Sequence, residues 1–162
     1  MPIDDFRRQV SGQKVDLDLL GHCADRYGVS LTAATLKWLE FTDRRAVLVA
    51  AREGFILWAR SSEPAFKSGF YFRTRGLVVP VPDGSVAARA FGTTELRAPV
   101  ELPAGVWFPN SPVTEMTIAS DRFDMTLSLL MLQSDYAVAD VDEEAAEDVF
   151  EHFEHSIRGH RR

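Results

Sequence analysis

The sequence predicts an α+β fold on three observations. Residues 1–43 place apolar side chains at helical spacing between residues that cap helices well. Residues 44–134 hold short β-branched and aromatic runs broken by glycines and prolines. Residues 140–158 return to a helical period. The expected organisation is a three-helix, helix-turn-helix-like unit over 1–43. A mainly antiparallel sheet domain follows over 44–162, ending in the amphipathic 140–158 helix.

The helices follow from their ends. Residues 3–10 make a short helix behind Pro2, where a missing N–H does no harm, and Ser11-Gly12-Gln13 breaks it. Asp16 caps a second helix to Tyr27, with Leu17, Leu20, Ala24 and Tyr27 on one face. Gly28 ends it, and Ser30 caps a third with Leu31, Ala34, Thr35 and Trp38 inward.

The strands follow from alternation and turns. Residues 46–51 and 55–60 form a hairpin around Arg52-Glu53-Gly54. A second pair is expected from 70–73 and 77–81 around Thr74-Arg75-Gly76. Asp83-Gly84-Ser85 leads into a short helical piece over 86–91. Residues 100–102, 105–108 and 113–120 read as strands that Pro99, Pro103, Pro109 and Pro112 confine toward edges. The clearest strand is 123–132, where Phe123, Met125, Leu127, Leu129 and Met131 alternate with Asp124, Thr126 and Ser128. That pattern predicts one wet face. In the last helix Ala146, Val149, Phe150, Phe153 and Ile157 form an apolar stripe among acidic residues. It predicts a partner surface, either the sheet or a second copy in a homo-oligomer.

Charge excludes some functions. The net charge of −6 is concentrated in residues 135–162, with 3 Lys/Arg against 9 Asp/Glu, while 44–134 carry 10 against 8. A pI near 5.2 without a clustered basic face argues against general nucleic-acid binding. Apolar runs such as 46–51 fall far below the ~20 residues that span a bilayer, so no membrane partner is expected. The acidic start and the single Cys23 place the expected location in the cytoplasm.

Four groups of residues are of types that could carry chemistry. His152, His155 and His160 could suggest a metal site, but their helical spacing points the first two away from the apolar stripe; the plainer reading is a solvated helix. Cys23 beside His22 is a poor nucleophile pair, since consecutive helical residues diverge by about 100°; Cys23 reads as a core residue. Glu115, Asp121 and Asp124 carry almost no signal as paired carboxylates. The run from Trp58 to Arg75 interleaves Phe66, Phe70, Tyr71 and Phe72 with Arg60, Lys67, Arg73 and Arg75. Its functional reading is a pocket for an anion or a flat ligand, with Trp58, Arg60, Arg73 and Arg75 as binding residues. The plainer reading is a sheet with aromatics inward and arginines outward.

A set of ordered motifs carries a family resemblance. Met1-Pro2, the run Leu19…Ala24-Asp25-Arg26-Tyr27-Gly28-Val29-Ser30-Leu31-Thr32-Ala33-Ala34, and the Arg45-to-Arg60 hairpin with Trp58 come first. Gly84-Ser85-Val86-Ala87-Ala88-Arg89, Glu115 and the Met125-to-Leu132 strand follow. Together, up to about residue 134, these resemble the ImmA/IrrE metallopeptidase family in the region after its zinc-binding helices. In such proteins an N-terminal zinc peptidase can cleave repressor proteins, the middle is helix-turn-helix-like, and some members end in a GAF-like sensor domain. The His-Glu-x-x-His signature that a zinc-activated water needs is absent from these 162 residues.

The resemblance therefore implies a non-catalytic regulatory, sensor or protein-interaction module without a cofactor or metal, acting beside a peptidase portion or a repressor protein. Two alternatives stand next to it. One is a DNA-binding regulator using residues 16–42, although the 31–41 helix offers only Lys37 to a nucleic acid. The other is a truncated piece of an active zinc peptidase.

Overall fold

The computed structural model describes residues 1–90, 97–120 and 122–133. The expected 140–158 helix and the histidines at 152, 155 and 160 lie outside the described residues.

Three helices come first: α1 (Ile3–Val10), α2 (Leu17–Tyr27) and α3 (Leu31–Phe41). Their ends follow the capping logic. Asp16 accepts from the Leu19 N–H at 2.8 Å and Ser30 from the Ala33 N–H at 3.0 Å. Gly28 closes α2 at φ 64°, a left-handed conformation that costs a Cβ-bearing residue about 1 kcal/mol.

The chain then runs β1 (Ala46–Arg52), β2 (Phe55–Ser61), α4 (Glu63–Lys67), α5 (Val86–Arg89), β3 (Val100–Leu102), β4 (Val113–Ser120) and β5 (Met125–Leu132). These strands form one antiparallel sheet in the order β2-β1-β5-β4-β3. β2 and β3 are its edges. Of the residues between them in the chain, the described 62–90 pack on one face through Ala65, Val81 and Ala87, while α1–α3 pack on the opposite face.

Alternation along the central strands splits the core in two. Ala46, Leu48, Ala50, Leu127, Leu129 and Met116 turn toward the helices and meet Phe6, Leu20, Cys23 and Trp38. Val47, Val49, Val113, Leu130 and Leu132 turn the other way and meet Ala65, Ala87, Trp107 and Phe108. β1 is buried on both faces, which explains its unbroken apolar run.

Four sequence expectations change. The 123–132 strand begins at Met125, because Asp124 sits at φ 49° in the β4–β5 turn. Its expected wet face is buried: Thr126 and Ser128 lie under the second layer, and Ser128 Oγ is 2.8 Å from Thr117 Oγ1. Ser128 tolerates this burial because its hydroxyl finds a partner there.

Residues 70–73 and 77–81 form no hairpin of their own. Phe70 and Phe72 are drawn onto Phe108, at 5.1 Å each between ring centroids, and only Pro80 bridges to Phe55. Residues 105–108 form a turn rather than a strand, since Gly105 at φ 94° donates to the Phe108 carbonyl at 2.7 Å. The helical piece expected over 86–91 is seen as Val86–Arg89; Phe91 lies outside the described residues. No helix among the described residues is long and apolar enough to cross a membrane.

Candidate functional site

Register decides what the β2 edge presents. The Ser62 N–H donates to the Ala46 carbonyl at 2.8 Å, and Leu48 stands opposite Arg60 and Ala50 opposite Trp58. Those residues therefore point their backbone groups at β1. The residues between them, Ala59 and Ser61, point theirs outward, away from the sheet. Among the described residues no backbone group bonds to them there. The start of β2 is covered instead, since Ile56 N–H donates to the Val79 carbonyl and Val81 N–H to the Gly54 carbonyl, both at 2.8 Å.

A cleft of about 750 Å³ opens beside this bare stretch. α3 forms one wall with Leu36, Leu39 and Glu40, and α4 and the segment behind it form the other with Phe66, Tyr71 and Phe72. Arg60 and Lys67 stand at its border.

Ser62 builds the second wall. This buried serine caps α4 by accepting from the Ala65 N–H at 3.3 Å. It also accepts from the Ala46 N–H at 3.0 Å and donates to the Arg44 carbonyl at 2.7 Å. One hydroxyl thus ties the end of β2, the start of β1 and α4 together. After α4, Phe70 N–H donates to the Ala65 carbonyl at 2.9 Å and Ser61 Oγ to the Phe70 carbonyl at 2.7 Å. That turns Phe66 and Tyr71 toward each other, 5.1 Å apart.

The charges differ in how they are held. Lys67 bonds Glu63 at 2.6 Å, and that hydrogen bond keeps the Glu63 carboxyl below its ordinary range. Lys37 and Glu40 pair at 2.7 Å on α3. Arg60 has no ion pair among the described residues. The cleft therefore offers one uncommitted guanidinium, aromatic faces and a row of backbone donors and acceptors. It fits an extended or flat ligand carrying an acid group.

The four residues singled out from the sequence are not gathered here as a set. Arg60 lines the cleft. Trp58 is half-buried on the helix side of β2, against the core of Phe6 and Trp38. Arg73 and Arg75 are exposed on the loop beyond Phe72. Tyr71, part of the aromatic run, does line the cleft; Ser62 and the α3 wall were missed, because they come from separate stretches that only the sheet edge brings together.

Other candidates resolve into scaffold. Cys23 is fully buried, burial pushes its thiol up, and His22 beside it is exposed. On α3 the face of Ala34, Thr35, Trp38 and Leu39 is buried, and Lys37 is bonded to Glu40. Among the described residues no three His, Cys, Asp or Glu side chains are grouped to hold a metal ion.

Glu115 was also underrated. It is fully buried on β4, and its carboxylate accepts four hydrogen bonds. Val86 and Ala87 N–H donate at 2.9 Å each, Trp107 Nε1 at 2.8 Å and Thr117 Oγ1 at 2.8 Å. Each oxygen takes two donors, so the group is a structural hub joining α5 and the Trp107 turn to β4. Asp124 lies in the turn at the far end of β4, and Asp121 lies outside the described residues.

Comparison with protein-family models finds no match, and comparison with curated protein sequences finds none either.

Proposed function

We propose that this chain is a non-catalytic regulatory module that binds an extended segment of a partner protein along the outer edge of β2. The observation that carries the reading is the pair Ala59 and Ser61, whose backbone groups face an aromatic-lined cleft without a partner among the described residues. A strand added there would take main-chain hydrogen bonds from those two residues, and the cleft would select its side chains. Arg60 favours a segment with an acidic residue. The resemblance to the post-catalytic part of ImmA/IrrE-type peptidases supports a protein partner, a peptidase portion or a repressor, and a GAF-like sensing role for the sheet.

The test uses an array of short peptides with acidic residues between apolar ones. Ala59→Pro removes one outward N–H while leaving the β1–β2 ladder intact, as edge prolines do. Peptides bound by the natural chain should be lost at least tenfold in Ala59→Pro and weakened in Arg60→Glu. Equal binding to all three, or no binding to any, rejects the reading.

A further inference from the structure

Charge and reach bear on what sits in the cleft when no partner does. From Trp58 to Arg75 the chain carries four basic residues, Arg60, Lys67, Arg73 and Arg75, against Glu63 alone. Arg60, Arg73 and Arg75 have no ion pair among the described residues. Leu57, Leu77 and Val78 are exposed as well, at 44%, 58% and 81% accessible, with Val79 bonded to Ile56 at the start of β2.

The complementary surface is in the chain itself. Residues 135–162 carry 3 basic against 9 acidic residues, with Val149, Phe150, Phe153 and Ile157 at helical spacing among the acids. The chain also leaves the sheet in the right place. The Leu132 N–H donates to the Arg45 carbonyl, and Arg45 Nη2 donates to the Gln133 carbonyl. Ala46, next to Arg45, is bonded to Ser62 at the end of β2. Gln133 thus lies two strand spacings, about 10 Å, from the end of β2, the strand that borders the cleft.

We propose that residues 134–162 dock in cis on the β2-edge cleft and compete with the partner segment for it. The apolar stripe seats against Leu36, Leu39, Phe66 and Tyr71, in the manner of an amphipathic segment laid in a groove. The acidic residues around the stripe face Arg60, Arg73 and Arg75. This rests on the cleft being a binding site, and it makes that site self-covered until a partner displaces the acidic segment.

The experiment uses the full chain and its backbone amide NMR spectrum. Phe150→Ser combined with Phe153→Ser should shift the amides of Ala59, Ser61, Tyr71 and Phe72 and speed hydrogen exchange at Ala59 and Ser61 at least tenfold. Arg73→Glu combined with Arg75→Glu, both exposed and outside the core, should move the same amides in the same direction. Rising salt should do so partly, since surface attraction is screened. Unmoved cleft amides in both variants overturn the proposal. So do shifts that grow with protein concentration alongside a doubled mass in sedimentation, which would place the acidic segment on a second copy.

The peptide array separates this proposal from the reading beneath it. Tighter binding of peptides by Phe150→Ser/Phe153→Ser than by the natural chain, threefold or more, supports both. Equal binding overturns the competition and leaves the cleft a partner site. Cleft amides that shift in a chain binding no peptide keep the cis docking and reject the partner site.

Discussion

The Tyr27 hydroxyl donates a 2.6 Å hydrogen bond to Asp5 Oδ2, fastening the end of α2 to the first turn of α1. Arg26 reaches the same carboxylate oxygen at 3.3 Å. The bond from Tyr27 is the main cause that holds the Asp5 carboxyl below its ordinary 3.8, with Arg26 and Arg8 adding to it. The same bond raises the Tyr27 hydroxyl above its ordinary 10.0.

These shifts fix two pH windows. Because Asp5 is depressed, its stabilising contribution is complete above pH 3.8 and is lost as pH falls through the lower folded value. Because Tyr27 is raised, its contribution is complete below pH 10.0 and is lost as pH rises through the higher folded value. In Tyr27→Phe the Asp5 carboxyl carbon, followed by NMR titration, should move its midpoint up toward 3.8. An unmoved midpoint would show that the arginines alone hold it.

Glu115→Gln should destabilise the fold by about 1–3 kcal/mol, because the amide NH₂ is best placed at Oε1, where the Thr117 hydroxyl can turn to accept but the Ala87 N–H is orphaned. Urea unfolding should show a lower midpoint at unchanged slope. A loss under about 1 kcal/mol would mean that the site relaxes around the amide.

Ser62→Ala removes the cap of α4 and the links to Ala46 and Arg44 in one step. The expected cost is about 1–3 kcal/mol, with buried backbone groups left bare. The distinctive outcome is local: hydrogen exchange should quicken in 62–72 and at Ala46, with the α1–α2 contacts unchanged. Uniform loss of protection would point to a global role for the serine.

Cys23 should be nearly inert to thiol reagents at pH 8. It is buried and its thiol is pushed up, so little thiolate is present or reachable. The native rate should fall about 100-fold or more below that in denaturant, since reaction awaits an opening event. Similar rates in both conditions would place the thiol at the surface.

The helical third of the chain was readable because its signals are local. Asp16, Gly28 and Ser30 act within four residues of themselves, and each does what its type suggests. The β1–β2 hairpin and the β4–β5 alternation were readable for the same reason. Between 62 and 112 the Ser85-capped helix and the 100–102 strand were readable too, but the aromatic segment and the Trp107 turn were not. Whether Phe70 and Phe72 lie in a strand depends on Phe108, and whether Glu115 is bare or satisfied depends on Val86 and Ala87. Period-two alternation in β5 could not reveal that a second layer covers Thr126 and Ser128. The cleft was half visible: the aromatic and basic run named one wall, but Leu36 and Leu39 entered only with the packing of α3.

The two margins of the sheet are unequal. β3 is three residues long and lies between Pro99 and Pro103, which cannot donate to a neighbouring strand, whereas β2 offers Ala59 and Ser61. When β2 of one copy pairs with β2 of a second, each molecule's longer margin is used up in the same contact, so association of that self-complementary kind closes at a pair.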